Sequence, residues 1–369
     1  MTTLHAVETV EPEPAPPEPP APRPRRRTRM FGTEDWLGLG GSVLSSFALV
    51  VIGYEHILDF SGLLGFLVCW YLVFMAVYGA VTAVAHPRTI VVDRLVAVSL
   101  YLAAGVVVLA LGTTLVYTFV KGWMAVTHLS FLTHDMSGVA PTAPLSQGGI
   151  IHAIIGTVIE IGMAVVISVP LGIGTAIYMT EVGGRASRLV RTVVEAMTAL
   201  PEILAGLFVY VVLIVGFGLP KSGLAVSVAM SVTMVPIIAR AGEVALRVVP
   251  NGLREASHAL GATHWKTVRK VVLPAAQAGL ATGVILAIAR GVGETAIVLI
   301  NSGASSFTTF NPVNEPMNSL PLFIYTAYTT HETTAIDRAF GAASVLLTIV
   351  LLLFVATRVL LRDKSKRGR

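Results

Sequence analysis

Arg290 and Glu294 are the residues best placed for chemistry, because both lie inside the apolar stretch 277–300. A charged side chain at the centre of a membrane helix costs about 2.5–3.5 kcal/mol on insertion scales, so such residues generally mark a solute path. Four residues apart, the two side chains are expected to share a helix face and to neutralise each other in part. The rigid donor fork of arginine matches an oxyanion. The pair predicts an anion path, with a structural ion pair as the alternative.

Two further charged residues stand near the ends of apolar stretches. Arg240 ends the stretch 222–240 and is either a second contact for the anion or a basic anchor at the membrane surface. Glu202 follows Pro201, and we expect it to cap its helix near the cytoplasmic end.

The sequence offers no means of using ATP by itself. A phosphate-binding loop requires G-x-x-x-x-G-K-[ST], and the nearest stretch, GFGLPKS at 216–222, lacks the glycine before Lys221. No nucleophile–base set or metal cluster is recognisable either. We therefore expect no catalytic residue, no bound cofactor and no metal, and energy would have to come from a partner.

The stretch 251–274 (NGLREASHALGATHWKTVRKVVLP) predicts a helix–turn–helix. Asn251 is a suitable N-cap, Gly261 a suitable C′ residue, and Thr263 a suitable cap for the second helix. Pro274 is expected to close this unit and to open the next membrane segment. One face of the first helix is mostly apolar and the second helix carries an apolar stripe, an arrangement that suits insertion into a groove of a partner. The residues of this face and stripe are Leu253, Ala256, Ser257, Leu260, Trp265, Val268 and Val272.

This stretch resembles the EAA loop of the membrane subunits of ABC importers, with Ser257 in place of the usual second alanine and Val271 in place of isoleucine. The resemblance implies docking into a cleft on a separate ATPase subunit. The residues expected to couple the two subunits are Glu255, Ala256, Ser257, Leu260, Gly261, Trp265, Leu273 and Pro274.

Four other stretches resemble the A-type permease subunit of the phosphate importer, a likeness that covers about 121–361: GGIIHAIIGT at 148–157, PLGIGTAIYMTE at 170–181, TALPEILAG at 198–206 and ARGVGET at 289–295. The resemblance implies transport by alternating access. It also implies three kinds of partner: a homologous C-type (PstC-like) permease, two PstB-like ATPase subunits and an external PstS-like phosphate-binding protein. Arg290 would attract phosphate, and Glu294 would hold Arg290 or accept the hydrogen of a protonated phosphate, which sulfate lacks at neutral pH.

Other functions remain open at this point. The same architecture could carry sulfate or molybdate, or the chain could be the C-type partner. An ATP-independent secondary transporter belongs to another class and leaves the EAA spacing as a coincidence. A membrane sensor or signalling scaffold is a further class, and it would be supported if the complex formed but transported nothing.

The elements that position these residues are membrane helices. The chain is 54% hydrophobic and only 13% charged, with a mean hydropathy of +0.77, whereas soluble domains carry roughly 25% charge. This composition indicates an all-α membrane protein in contact with lipid and does not suggest nucleic-acid binding. About eight stretches can each cross a bilayer: 37–54, 61–85, 94–120, 153–179, 203–219, 222–240, 277–300 and 339–360.

Basic residues set the predicted orientation. With the arginines at 23–29 in the cytoplasm, eight crossings place both termini and every other arginine-rich loop on that side of the cell membrane. The long opposite loops, 121–152 and 301–338, would face outward, as receivers of a delivering partner or as simple connectors. Within the second loop, residues 320–330 predict a short helix on the outer side.

The predicted organisation has four parts and resembles a type I ABC importer permease. Residues 1–35 form a disordered Pro/Arg-rich tail, and 36–92 add two N-terminal helices to the usual core. Residues 93–361 form the six-helix permease core, and 362–369 form a basic cytoplasmic tail.

Overall fold

The computed structural model describes residues 32–57 and 62–367, and every regular element in them is helical. The predicted disordered tail therefore lies outside the described residues as far as residue 31. Four π-helical segments occur in the described residues: Ile52–Ile57 after α1, Tyr178–Val182 after α5, Tyr210–Gly216 after α7, and Val268–Val272 between α10 and α11. The fourteen α-helices of the described residues are, in chain order, α1 Thr33–Val51, α2 Leu63–Ala85, α3 Arg88–Val126, α4 Leu129–Thr133, α5 Ile151–Ile177, α6 Gly184–Thr198, α7 Glu202–Val209, α8 Gly223–Arg247, α9 Asn251–Ala259, α10 His264–Thr267, α11 Leu273–Val292, α12 Ala296–Asn301, α13 Leu320–Thr329 and α14 Thr333–Arg367.

The described part of the chain contains seven helices long and apolar enough to cross a membrane, or eight if one bent pair counts as a single span. That pair joins Gly184–Thr198 to Glu202–Gly216 through a bend of 105°. The prediction of an all-α membrane protein with about eight crossings is confirmed. The spans are 35–54, 63–85, 88–126, 151–182, 223–247, 264–292 and 333–355.

The predicted helix at 277–300 has different limits in the structure. It ends at Val292, because the N–H groups of Gly293 and Glu294 donate to carbonyls only three residues back, at 3.2 and 3.1 Å, which tightens the last turn. The short helix α12 then begins at Ala296. The prediction that Arg290 and Glu294 occupy one continuous helix is therefore wrong.

The same helix begins earlier than predicted, so Pro274 does not open it. Residues 264–292 form one uninterrupted helix, in which a π-helical turn at Val268–Val272 joins α10 to α11. Within that turn the Leu273 N–H donates to the Val268 carbonyl, five residues back. Pro274, the next residue, has no N–H to donate. Because the turn before it is wider, the helix accommodates the proline and continues through it.

Packing divides the chain into two compact units, residues 1–109 and 110–369, with the boundary inside α3. In the first unit, the Arg94 guanidinium pairs with Asp35 at 2.7 Å, and the Trp70 indole donates to Ser46 Oγ at 3.2 Å.

The second unit is built around α5, α8 and α11. Small residues bring these helices close, as is usual for helix packing in membranes. A Cβ at Gly172 on α5 would lie 2.6 Å from the Ile238 Cβ on α8. A Cβ at Gly283 on α11 would lie 2.5 Å from the Ala241 Cβ on α8. The core of the unit is therefore a tight contact between these three helices.

Candidate functional site

Arg290 lies in the last turn of α11 and pairs with Glu202, the first residue of α7. Its side chain remains 58% exposed, whereas that of Glu202 is 31% exposed. The partner predicted from spacing was Glu294, and that pairing is wrong because α11 ends before Glu294. The structure instead brings Arg290 to a carboxylate 88 positions away in sequence.

Glu294 nevertheless belongs to the same group. Glu294 is only 8% exposed, and its carboxyl group lies within hydrogen-bonding distance of the Glu202 carboxyl group. The Ile297 N–H donates to Glu294 Oε1 at 3.4 Å, so the carboxyl sits at the start of α12. One guanidinium and two carboxyl groups thus meet where α7, α11 and α12 come together. We call Arg290, Glu202 and Glu294 the arginine–carboxyl group.

Arg240 lies in a different cluster, formed by α6 and α8. It pairs with Glu195 at 3.1 Å and with Glu243 at 3.6 Å. Glu243, whose side chain is only 5% exposed, also accepts from Arg191 at 2.8 Å and from Arg247 at 2.6 Å. These ion pairs with α6 favour the anchoring alternative for Arg240, and a contact with the anion stays a prediction.

The predicted helix–turn–helix forms around Gly261. Helix α9 ends with the two hydrogen bonds of a Schellman motif: Gly261 N–H to the His258 carbonyl at 2.9 Å and Ala262 N–H to the Ser257 carbonyl at 3.1 Å. Gly261 has φ +77°, which only glycine adopts without strain. The Thr263 hydroxyl accepts from the Lys266 N–H at 3.4 Å. The predicted capping roles of Gly261 and Thr263 are thus confirmed.

The first cap differs from its prediction. Pro250 occupies the N-cap position, and Asn251 is already helical, with its side-chain oxygen accepting from Arg254 at 3.2 Å. Arg254 is too far into the helix to take part in capping, and instead it ties α9 to the core. Its guanidinium donates to Glu181 at 2.9 Å and to the carbonyls of Leu246 and Val249 at 3.0 and 2.7 Å.

Ser257 joins the two helices of this loop. Its hydroxyl lies 2.9 Å from the hydroxyl of Thr267 on α10, so α9 and the start of the long helix are held together by a direct hydrogen bond. The residue that departs from the usual alanine therefore has a structural partner of its own.

The apolar residues of this loop divide by burial into two sets. The sequence predicts that Trp265, Val268 and Val272 form one stripe on the second helix, but the structure separates them. Val268 and Val272 are fully buried against the core. Trp265 and Leu260 are exposed by 62% and 89% respectively, and Leu253 is also exposed. The exposed set forms an apolar knob, which we define as Leu253, Leu260 and Trp265. Glu255 beside it is exposed as well.

The loops predicted to lie outside are bonded to each other. Asp135 Oδ2 accepts from the N–H and the hydroxyl of Thr308 at 3.0 and 3.1 Å, and Oδ1 accepts from the Ser137 N–H at 3.1 Å. Burial raises the pKa of the Asp135 carboxyl, but the hydrogen bonds from Ser137 and Thr308 outweigh it and hold the pKa below its usual value. The predicted short helix is α13, whose Leu320 and Leu322 are buried.

Sequence reasoning missed Arg254 and Glu181, and it gave Glu202 only a capping role. Glu181 and Glu202 carry charge at the ends of apolar helices, where an isolated charge is costly and a partner is expected. That signal could have predicted pairing in general. The particular partners lie 73 and 88 positions apart, and only the fold brings them together.

The chain resembles known proteins over most of its second unit. Residues 168–364 match the family described as binding-protein-dependent transport system inner membrane component. The phosphate transport system permease protein PstA 1 of Mycobacterium tuberculosis H37Rv is 42% identical over 247 residues, which cover 64% of this chain and 80% of that protein. PstA of Haemophilus influenzae is 33% identical over 236 residues, covering 63% and 83%. A solved inward-facing MetNI methionine ABC transporter gives a TM-score of 0.46 at 25% identity, covering 58% and 94%.

Proposed function

Because this chain belongs to the binding-protein-dependent inner membrane components, as one of the PstA phosphate permeases, we propose that it forms a phosphate path together with a homologous PstC-like subunit. The chain is a transporter subunit with membrane-crossing helices and is not an enzyme. In this proposal, ATP is hydrolysed by a pair of PstB-like subunits, and a PstS-like protein delivers phosphate outside the membrane. Both termini of the chain lie in the cytoplasm.

The arginine–carboxyl group is the observation that carries the proposal. Arg290 keeps more than half of its side chain exposed in the single chain, although it lies at the end of an apolar helix. An exposed guanidinium in such a position suits a path that is completed by a second subunit. It can bind phosphate oxygens in a bidentate way while Glu202 holds the other side of the fork.

Glu294 supplies selectivity in this scheme. A carboxylate repels a dianion such as sulfate, whereas a phosphate that carries a hydrogen can donate it to the carboxylate. Glu294 can accept that hydrogen only if it stays beside Arg290. Glu202 keeps the two side chains close, because it interacts with both of them. Arg240 is the second residue proposed for the path, at the α6–α8 cluster.

The apolar knob supports coupling to an ATPase. Leu260 and Trp265 project from a loop that is fixed to the core by Arg254 and by the Ser257–Thr267 hydrogen bond. Exposed apolar side chains on a rigid base suit docking into a groove of a partner. The residues proposed to couple are those of the EAA stretch: Glu255, Ala256, Ser257, Leu260, Gly261, Trp265, Leu273 and Pro274. No ATP or other cofactor binds this chain in the proposal.

The test is phosphate uptake by vesicles that contain this chain and its co-purified partners, with ATP supplied at the ATPase side. We expect ATP-dependent uptake that Arg290→Ala abolishes and that Arg188→Ala, an exposed arginine of α6, leaves unchanged. Glu255→Ala should abolish uptake with loss of the ATPase subunit from the purified complex. Uptake that does not need ATP would contradict the importer class.

Sulfate uptake, measured in the same vesicles as phosphate uptake, tests the transported anion and the role of Glu294. We expect Glu294→Gln to narrow the preference for phosphate over sulfate by about tenfold, which corresponds to about 1.4 kcal/mol. ATP-driven uptake of sulfate or molybdate in place of phosphate by the wild-type complex would keep the architecture and reject the cargo.

A further inference from the structure

A cavity of about 210 Å³ lies in the second unit, between the loops predicted to face outward and the helices α13 and α14. It is separate from the arginine–carboxyl group, since none of Arg290, Glu202 and Glu294 lines it. The polar side chains that line it are His152, Ser305, Ser306, Asn318, Thr326, Thr330 and Arg338.

Arg338 gives this cavity a fixed positive charge. The residue is only 1% exposed, and no carboxylate within 4.0 Å of it occurs in the described part of the chain. Its terminal nitrogens donate to the carbonyls of residues 141, 143, 144 and 147 at 2.8–3.1 Å. Its Nε–H has no partner among the described residues. A buried cation held only by carbonyl dipoles keeps most of its charge available to an anion.

Two of the side chains that line the cavity also have buried polar atoms without a hydrogen-bond partner among the described residues. Both ring nitrogens of His152 are buried without a partner in the described structure, as is the Oδ1 atom of Asn318. The Asn318 amide nitrogen donates to the Ser305 carbonyl at 2.8 Å, which fixes Oδ1 as the free atom. A neutral imidazole provides one donor and one acceptor. Together with Arg338 Nε–H, the site therefore offers two donors and two acceptors beside one positive charge.

We propose that this cavity is a second binding site for hydrogen phosphate, on the outer side of the membrane and before the arginine–carboxyl group. A hydrogen phosphate ion accepts hydrogen bonds through its unprotonated oxygens and donates one through its hydroxyl, so it can satisfy both kinds of group at once. Sulfate at neutral pH only accepts, and it would leave Asn318 Oδ1 facing a lone pair. The negative charge of Asp135 nearby is already engaged by Ser137 and Thr308. The choice of anion rests on the proposed function.

Equilibrium binding of radiolabelled inorganic phosphate to the purified full-length chain in nanodiscs tests this site. The Arg290→Ala variant serves as background, since it removes the main contact of the path. We expect this variant to retain phosphate binding that sulfate displaces poorly. His152→Phe keeps the ring that packs edge-on against Phe323 at 5.5 Å, and Asn318→Leu keeps the side-chain shape. Each should weaken binding about tenfold, as expected for the loss of one hydrogen bond to a charged group.

Two results would overturn the proposal: no phosphate binding in the Arg290→Ala background, or binding that neither His152→Phe nor Asn318→Leu weakens. Arg338→Gln should abolish binding, and because it also frees four carbonyls, its folding is checked by co-purification of the complex. Uptake by the wild-type complex is measured in parallel. Uptake without binding at the cavity rejects this inference alone, whereas cavity binding without ATP-driven uptake rejects the proposed function alone.

Discussion

Arg290 is neutralised by a carboxylate from another helix, and this arrangement sets the charge balance where α7, α11 and α12 meet. Glu202 contacts both Arg290 and Glu294, so it competes with any anion for the same guanidinium. In the proposed phosphate path, such a carboxylate would weaken the binding of phosphate to Arg290 and so favour its release.

The Glu202→Gln substitution tests this competition. Without the negative charge, Arg290 should hold phosphate more tightly, so the KM for uptake is expected to fall about tenfold while the maximal rate also falls because release becomes slower. The measurement is the phosphate dependence of uptake in vesicles. Glu332→Gln, an exposed position in the turn before α14, is the matched control. A KM that rises would show that Glu202 positions Arg290 and does not compete with phosphate.

At this scale the sequence shows where charge lies in the apolar stretches, but it does not predict which partners the charged side chains contact. Arg290 and Glu294 are conspicuous because charge is rare in apolar stretches. Their spacing of four residues predicted a shared helix face, but the helix ends at Val292 in a tightened turn. Nothing local in the sequence encodes a partner 88 positions away, because that contact depends on how α7 packs against α12 and α8.

Among the elements, the EAA loop was the most predictable, since caps and turns are encoded locally. Gly261 and Thr263 took their predicted positions, whereas Pro250 replaced Asn251 as the first cap because helices tolerate a proline at their start. The π-helical turn before Pro274 is not predictable from the sequence. It adds one residue to a single turn of the helix, and the spacing of the apolar residues before and after that turn is nearly unchanged.

Gly261→Ala is predicted to disrupt coupling. The φ of +77° at Gly261 costs a non-glycine residue about 1–2 kcal/mol, so the turn should distort and displace the apolar knob. We expect loss of substrate-stimulated ATPase activity with the chain still inserted in the membrane. Gly252→Ala is the control, because a Cβ there meets nothing within 4 Å and helix α9 favours alanine. Equal effects of both substitutions would argue against a role for the turn.

The Asp135 carboxylate is predicted to hold the two outer loops together. Asp135→Ala removes the hydrogen bonds from Ser137 and Thr308 and should lower thermal stability by about 1 kcal/mol, a modest value because the carboxylate is only partly buried. Protease cleavage of the loops 127–150 and 302–319 should become faster. Glu332→Ala, exposed and outside these loops, should leave the cleavage rate unchanged.

The same residue predicts a pH dependence. Because the folded pKa of Asp135 lies below its usual 3.8, its stabilising contribution is present above that pH and is lost as the pH falls through the folded pKa. The wild-type protein should therefore lose more stability than Asp135→Ala on acidification below about pH 4. Parallel losses in the two proteins would show that Asp135 is not the group responsible.

For the whole molecule, the composition predicts a membrane protein and the lengths of the apolar stretches predict the number of crossings, because lipid requires long apolar helices. The compact units are less accessible to such reasoning. The structure divides inside α3, at Leu109, and the apolar residues on either side of Leu109 give no sign of a boundary in the sequence. Every buried apolar cluster found in the described residues lies in the second unit.

A chain that begins at Arg88 is therefore predicted to insert, assemble and transport. It keeps α3 whole and all four apolar clusters, and it loses two helices, an even number that preserves the orientation of the remaining spans. ATP-dependent phosphate uptake by the shortened complex should stay within about twofold of the full-length complex, a difference of less than 1 kcal/mol. Correct insertion combined with a complete loss of uptake would assign the first two helices an essential function.

The unbroken helix from His264 to Val292 gives the molecule a mechanical property. Trp265 in the apolar knob and Arg290, which we propose lines the path, belong to the same helix and are separated by about 38 Å at 1.5 Å per residue. The π-helical turn at Val268–Val272 lies close to the knob end, about 27 Å from Arg290. A tilt of about 10° at that turn would carry the guanidinium through roughly 5 Å, enough to separate it from Glu202 without unfolding any helix.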